Sequence, residues 1–368
     1  MRKHHPDNER IKREYFVLLK EVKGQSEDSV DAVAKAIARF EADTQYRDLK
    51  AFHFEQAVAF KRRLADRVSK TTGEKLSKAT QYATLAHLKR FFQWLALQPG
   101  YRSKLRYSDA EYFSFSDKDS RVAKARRERP VPTLEQIKHV IANMPAGSEI
   151  EQRNRALLAF TLLTGARDSA LASLKLKHVD LVAGSVFQDA RDVKTKFSKT
   201  FITFFHPVGA EIQQIVDDWV QHLRRDLLWG LDDPLFPATR VESGDKLHFE
   251  AVGIERKAWA TAAPIRAIFK RAFEAAGLPF FNPHSFRSTL VQLSQTLCRN
   301  PEDFKSWSQN LGHEGVLTTF YSYGTVAPRR QGEIMRELAS PRSRVPGNAD
   351  ELADAVVRAM RRDGMKVG

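Results

Sequence analysis

Asn310-Leu311-Gly312-His313, followed by Thr318-Thr319-Phe320-Tyr321-Ser322-Tyr323-Gly324, places a histidine and then two tyrosines late in a basic chain. Just upstream, Asn300-Pro301-Glu302-Asp303 carries a capping residue, a proline at the first helical position and early carboxylates, so a helix starts there and ends near Gly312. The histidine thus sits just beyond a helix end, and the tyrosines fall on a short helix after it. A tyrosine hydroxyl is a poor nucleophile at its free pKa of about 10, and it needs nearby cations and a charge-neutralised phosphate. The residues that could supply these stand further upstream.

At 368 residues the chain is long enough for two domains with separate cores. Its net charge of +15 and pI near 9.8 point to a polyanionic partner, nucleic acid before membrane, because clustered Lys and Arg gain affinity by releasing counterions from phosphates. No apolar run approaches the roughly 20 residues of a spanning helix. Met1-Arg2-Lys3-His4-His5 lacks the apolar core of a signal peptide, so the expected location is the cytoplasm, associated with the nucleoid, with no membrane partner. Cys298 is the single cysteine, which rules out an intramolecular disulfide and a cysteine-based zinc site; it reads as a small buried hydrophobe. No Walker-type loop or clear metal-ligand cluster occurs, so neither a cofactor nor a metal is expected.

From Arg10 to about Phe92 the apolar spacing is helical. Ile11, Tyr15, Leu18 and Leu19 share a face, as do Val30, Val33, Ala34, Ile37 and Phe40, and then Ala57, Phe60 and Leu64. After Thr71-Thr72-Gly73 a fourth helix, capped by Ser77 or Thr80, buries Tyr82, Leu85, Leu88, Phe91, Phe92 and Leu95. A four-helix module results. Lys61-Arg62-Arg63 and Lys89-Arg90 on its outward faces can grip a phosphate backbone, although an ordinary solvated face has the same composition. Residues 117–132 read as a basic linker, with Arg126 and Arg127 as further DNA contacts. Pro130 and Pro132 disfavour helix before Thr133, which can cap the next one with Gln136 in the capping-box position.

Beyond that boundary, Arg155 to Leu163 is a strongly apolar helix broken at Thr164-Gly165, and Asp168 to Leu176 follows as a second. Ser185-Val186-Phe187 and Phe201-Ile202-Thr203-Phe204-Phe205 flank a polar tip and predict a hairpin or small sheet. Helices are expected again over Val208–Leu228, Ala262–Ala276 and Ser285–Leu297, then one more after Pro328 and an amphipathic tail helix, Asn348 to Arg362. The fold class is mainly α with a small β element. Four places carry candidate chemistry. Thr164-Gly165-Ala166-Arg167 presents an arginine, whose planar fork suits a phosphate, at the mouth of a helix. His284-Ser285-Phe286-Arg287 puts an imidazole and a guanidinium on one helix face. Lys194, Lys196 and Lys199 crowd the hairpin tip, where a lysine can act as a general acid. His313 with Tyr321 and Tyr323 completes the set.

In this order these residues resemble the tyrosine recombinases, or phage integrases, whose catalytic domain carries an arginine after a Thr-Gly turn, a hairpin lysine, a His-x-x-Arg, a Leu-Gly-His and a late tyrosine. The resemblance implies a core-binding (SAM-like) DNA-binding domain over 1–116, the linker 117–132, a catalytic domain over 133–340 and a tail over 341–368. It assigns Arg167, His284, Arg287 and His313 to transition-state stabilisation, Lys196 (Lys194 second) to leaving-group protonation, and Tyr323 to nucleophilic attack giving a 3′-phosphotyrosyl bond.

Two positions depart from the pattern. Ala170 stands where many members have a glutamate. Ser322 stands nine residues after His313, where the family tyrosine commonly lies, with Tyr321 one short and Tyr323 one long. Two residues on a helix are about 200° apart, so only one tyrosine can face the pocket. Tyr323-Gly324-Thr325-Val326-Ala327-Pro328 matches the family tyrosine and its turn, which favours Tyr323, with Tyr321 the alternative. The implied partners are double-stranded DNA, three further copies of the chain in a tetramer on DNA, and accessory DNA-bending or partner recombinase proteins. Integration, excision and resolution of DNA elements all fit. A type IB-like topoisomerase and a non-cleaving DNA-binding protein of the same fold are the rival readings.

Overall fold

The computed structural model describes residues 4–69, 72–125, 130–195, 198–243 and 249–313. The chain divides into two compact units, Met1–Arg127 and Glu128–Gly368. The tail helix, the helix after Pro328 and both candidate tyrosines lie outside the described residues.

In the first unit α1 (Pro6–Val17), α2 (Glu27–Asp43), α3 (Phe54–Asp66) and α4 (Lys78–Leu95) follow the helical spacing of the sequence, and a short α5 (Asp117–Lys124) comes after them. Ser77 caps α4, its hydroxyl accepting from the Thr80 N–H at 3.2 Å. The core is aromatic. The Phe40 ring meets Phe52, Phe60, Phe92 and Phe113 edge-on at 5.1–5.9 Å, each pair adding about 0.5–1.5 kcal/mol beyond simple burial. Helix α5 lies within residues 117–132, the stretch that reads as a basic linker. It buries nothing and so shows no apolar stripe, but Ser116 caps it, acidic Asp117 and Asp119 sit at its start, and basic Arg121 and Lys124 at its end, all matched to the helix dipole.

The second unit is built on α7 (Glu149–Thr164), in which every side chain from Ala156 to Thr164 is buried. A helix apolar on all sides can only be a central one. It packs against α6 (Leu134–Asn143), α9 (Ala210–Gln221) and α11 (Pro283–Leu297). Thr133 and Gln136 close the capping box at the start of α6, and Ser148 with Glu151 does the same for α7. Helix α8 (Asp168–Leu171) is shorter than the pattern suggests, because the Leu176 and Lys177 N–H groups donate to Asp233 and Leu231 carbonyls instead of continuing a helix. Strands β1 (Val179–Asp180), β2 (Ser185–Gln188) and β3 (Phe201–Phe204) form an antiparallel sheet in that order, with Val186 opposite Thr203 and Phe187 opposite Ile202. A second hairpin, β4 (Pro237–Ser243) with β5 (Phe249–Ala258), is not evident from the sequence, because charged residues line both of its faces. Helices α10 (Ala263–Ala275) and α12 (Pro301–Asn310) complete the described unit.

Candidate active site

The Thr164-Gly165-Ala166-Arg167 turn is shaped by two demands on one glycine. Gly165 ends α7 at φ 61°, and a Cβ there would lie 2.9 Å from Leu311 and 3.1 Å from Leu290. Thr164 holds the turn from the other side, accepting from the Ala166 N–H at 3.1 Å and donating to the Phe160 carbonyl at 2.7 Å. Arg167 emerges half-buried at the N-cap of α8, and that burial lowers its pKa. Ala170, on the same helix, is packed into the core at 1 % exposure.

Arg287 is the centre of the site. Asn282 and Pro283 start its helix, with the Asn282 side chain accepting from the Ser285 N–H at 3.2 Å. The guanidinium is 5 % exposed and donates to the Gly165 carbonyl at 2.6 Å, the Leu311 carbonyl at 2.5 Å and His313 Nε2 at 3.0 Å. Among the described residues no carboxylate neutralises it. Burial, and after it the charge of Arg167, pulls its pKa down to about 9, so it stays cationic at neutral pH. His284 stands three residues earlier on the same helix, exposed at its mouth.

His313 follows α12, whose start is capped by Asn300. Gly312, at φ 65°, turns the chain where any Cβ would lie 2.8 Å from the Phe201 ring. The His313 pKa is pushed down to about 4, first by burial and then by the positive charges of Arg287, Arg167, His284 and Lys199. Five groups from four separate stretches therefore act on one another here. Because Nε2 accepts from Arg287, the neutral ring carries its proton on Nδ1, where it can donate to an oxyanion.

Of the hairpin lysines, Lys194 and Lys199 are described and Lys196 is not. The backbone of Lys194 is tied to α8 through the Ser169 hydroxyl at 3.1 Å and the Ser173 hydroxyl at 2.9 Å, while its ammonium lies 3.5 Å from the Ala260 carbonyl. The charge of Lys199 reaches His313. In the first unit, Lys61 donates to the Tyr112 and Ser114 carbonyls, Arg63 pairs with Asp43 at 2.6 Å, and Lys89 pairs with Glu111 at 2.6 Å. Arg62 and Arg90 are exposed, and Arg126 and Arg127 fall outside the described residues. Among the described residues His5, Asp7 and Asp48 could share a cation, their ligand atoms lying within 4.8 Å of one another, but the Lys50 ammonium sits 2.7 Å from Asp7.

Two residues of the site carry no signal in the sequence. His206 reads as part of the apolar run Phe204-Phe205-His206-Pro207-Val208, and Asn310 as a helix end. In the fold Asn310 binds Thr203, Phe204 and His206 on and just after β3. Only a contact between residues about a hundred positions apart reveals them.

The sequence signature of the phage integrase family matches residues 131–330. Tyrosine recombinase XerC of Lactobacillus delbrueckii subsp. bulgaricus is 24% identical over 251 residues, which is 67% of this chain and 72% of that protein. A lambda integrase dimer bound to a COC′ core site superposes with a TM-score of 0.59 at 14% identity, covering 87% of this chain and 97% of that one. The Tn1549 transposon integrase in complex with transposon right end DNA gives 0.57 at 16% identity, covering 90% and 99%. The matched signature spans more than half of the chain, and the fold agrees. The chain belongs to the phage integrase family, the tyrosine recombinases, whose activity is site-specific DNA recombination.

Proposed function

We propose that this chain cuts and rejoins duplex DNA through a 3′-phosphotyrosyl intermediate formed by Tyr323. The observation that supports it best is Arg287: a buried guanidinium with no carboxylate against it among the described residues, joined to His313 and facing the charge of Arg167. A buried cation left unneutralised is strongly unfavourable, and a scissile phosphate would offset that penalty while the cations stabilise the extra charge of the transition state. The Tyr323 hydroxyl gives up its proton to solvent as its oxygen forms the bond to phosphorus, and the bond to the 5′ oxygen breaks. Lys196 gives its proton to that leaving oxygen, with Lys194 second in line. His284 and His313 donate to the non-bridging oxygens. Rejoining to another strand's 5′-hydroxyl reverses the step and needs neither ATP nor metal.

The N-terminal unit serves in this reading as a core-binding DNA-binding domain, and 133–340 as the catalytic domain. Four copies assemble on two duplexes in the cytoplasm, at the nucleoid, with accessory DNA-bending proteins or a partner recombinase where the site requires them. Integration, excision and resolution share this chemistry. The decisive experiment starts by selecting a bound duplex from a randomised pool and placing a nick beside the cleavage position. A covalent adduct that forms in EDTA and maps by peptide mass to Tyr323 is the expected result. An adduct on Tyr321, lost in Tyr321→Phe but not in Tyr323→Phe, reassigns the nucleophile; adduct formation that EDTA abolishes rejects the mechanism.

A further inference from the structure

Asn310 ends α12 three residues before His313, and its side chain takes the place of a neighbouring strand. Its Oδ1 accepts from the Phe204 N–H at 2.6 Å and its Nδ2 donates to the Phe204 carbonyl at 2.8 Å, so one amide pairs with both backbone groups of a single residue. The same Nδ2 lies 3.3 Å from His206 Nε2, and the Asn310 carbonyl accepts from the Thr203 hydroxyl at 3.0 Å. Strand β3 is an edge of its sheet, which leaves these groups available for pairing. Thr203 in turn is held by the Gln188 amide of β2 at 3.1 Å.

His206 seats this clip. It is 3 % exposed, its ring lies 4.7 Å from that of Trp307, and its backbone N–H donates to the Leu163 carbonyl at the end of α7 at 2.7 Å. Burial keeps the ring neutral, and because the Asn310 Nδ2 can only donate, its approach selects the tautomer in which Nε2 is the acceptor. Strand β3 leaves the hairpin tip directly after Lys199, while Asn310 leads through Leu311, the acceptor of Arg287, to His313. The clip therefore joins the stretch that carries the general acid to the stretch that carries the phosphate-binding histidine.

We propose that Asn310, seated by His206, is a positioning residue that sets the register between the lysine hairpin and the Leu311-Gly312-His313 turn, so that proton donor and phosphate-binding groups meet one phosphate. The inference rests on the recombinase chemistry proposed above. Asn310 touches no substrate; its effect passes through the proton transfer from the hairpin lysine to the 5′ oxygen. A displacement on the order of 1 Å in such a group slows chemistry by about 100-fold.

The test compares cleavage of a nicked duplex bearing the normal 5′ oxygen with one bearing sulphur at that bridging position. A thiolate leaves without protonation, so a defect confined to proton donation disappears on the sulphur substrate. Asn310→Ala is expected to cleave the oxygen substrate about 100-fold more slowly than the parent chain and the sulphur substrate within a few-fold of it. Lys196→Ala should behave the same way and Arg287→Ala should remain slow on both. His206→Phe keeps the ring packing against Trp307 but removes the acceptor, and it carries the test if Asn310→Ala fails to fold. Its expected pattern is the same rescue with a smaller defect. Oxygen cleavage at the parent rate in either folded variant, or equal slowing on both substrates, overturns the proposal. If the parent chain cleaves neither substrate, the recombinase chemistry itself is rejected, and the positioning role with it.

Discussion

Arg287 reaches the end of α7 and the end of α12 with one planar side chain, donating to three acceptors there. Its neighbour Gly165 is the residue least able to change. Gly165→Ala would force a non-glycine residue into the left-handed region and drive a methyl against Leu311 and Leu290; a loss of about 2–4 kcal/mol is expected in urea unfolding. The buried imidazole of His206 and the half-buried one of His313 predict the response to acid. His313 titrates at about 4 and His206 at about 3, both below the ordinary 6.5. Below pH 6.5 the unfolded chain binds protons that the folded chain refuses, so stability present above that pH is lost as the pH falls towards about 4. Melting temperatures from about pH 8 down to 4.5 should show this decline, and His206→Phe should make it shallower.

Among the elements, the β4–β5 hairpin depends on a single buried cation. Arg153, 2 % exposed on α7, donates to the Pro237 carbonyl and the Thr239 hydroxyl, both at 3.0 Å, and its guanidinium lies 5.1 Å from the Trp259 ring. Its pKa is lowered to about 10 by burial and then by the nearby charge of Arg271. Arg153→Met fills the volume but leaves the strand carbonyl without its donor. It should destabilise by about 1–3 kcal/mol, with faster amide exchange over 237–243 and 249–258 and little change in α11 or α12.

At the scale of the whole chain, the net charge of +15 sets a strong salt dependence of DNA binding. The basic clusters of the first unit do not contribute equally. Lys61, Arg63 and Lys89 are engaged within their own unit, whereas Arg62 and Arg90 are exposed. Arg62→Ala and Arg90→Ala should each reduce the slope of log K against log salt by about 1, and Lys89→Ala by less, in titrations across salt. The basic character was visible from composition; which cations are already partnered was not, since Asp43 and Glu111 lie about twenty residues from the groups they bind.

Local physics accounts for most of what could be read from the residues in order. Apolar spacing marked α1 to α4 and an all-apolar run marked α7, capping residues and prolines marked the starts of α4, α6, α11 and α12, and Arg167, His284, Arg287 and His313 stood out as candidates at helix ends and turns only through an order that resembles the tyrosine recombinases. The charged α5 and the β4–β5 hairpin escaped because neither buries an alternating or helical apolar face. The neutrality of His313, the burial of the Arg287 charge and the amide clip of Asn310 on β3 arise from desolvation and from contacts between distant stretches, and those exist only once the chain has folded.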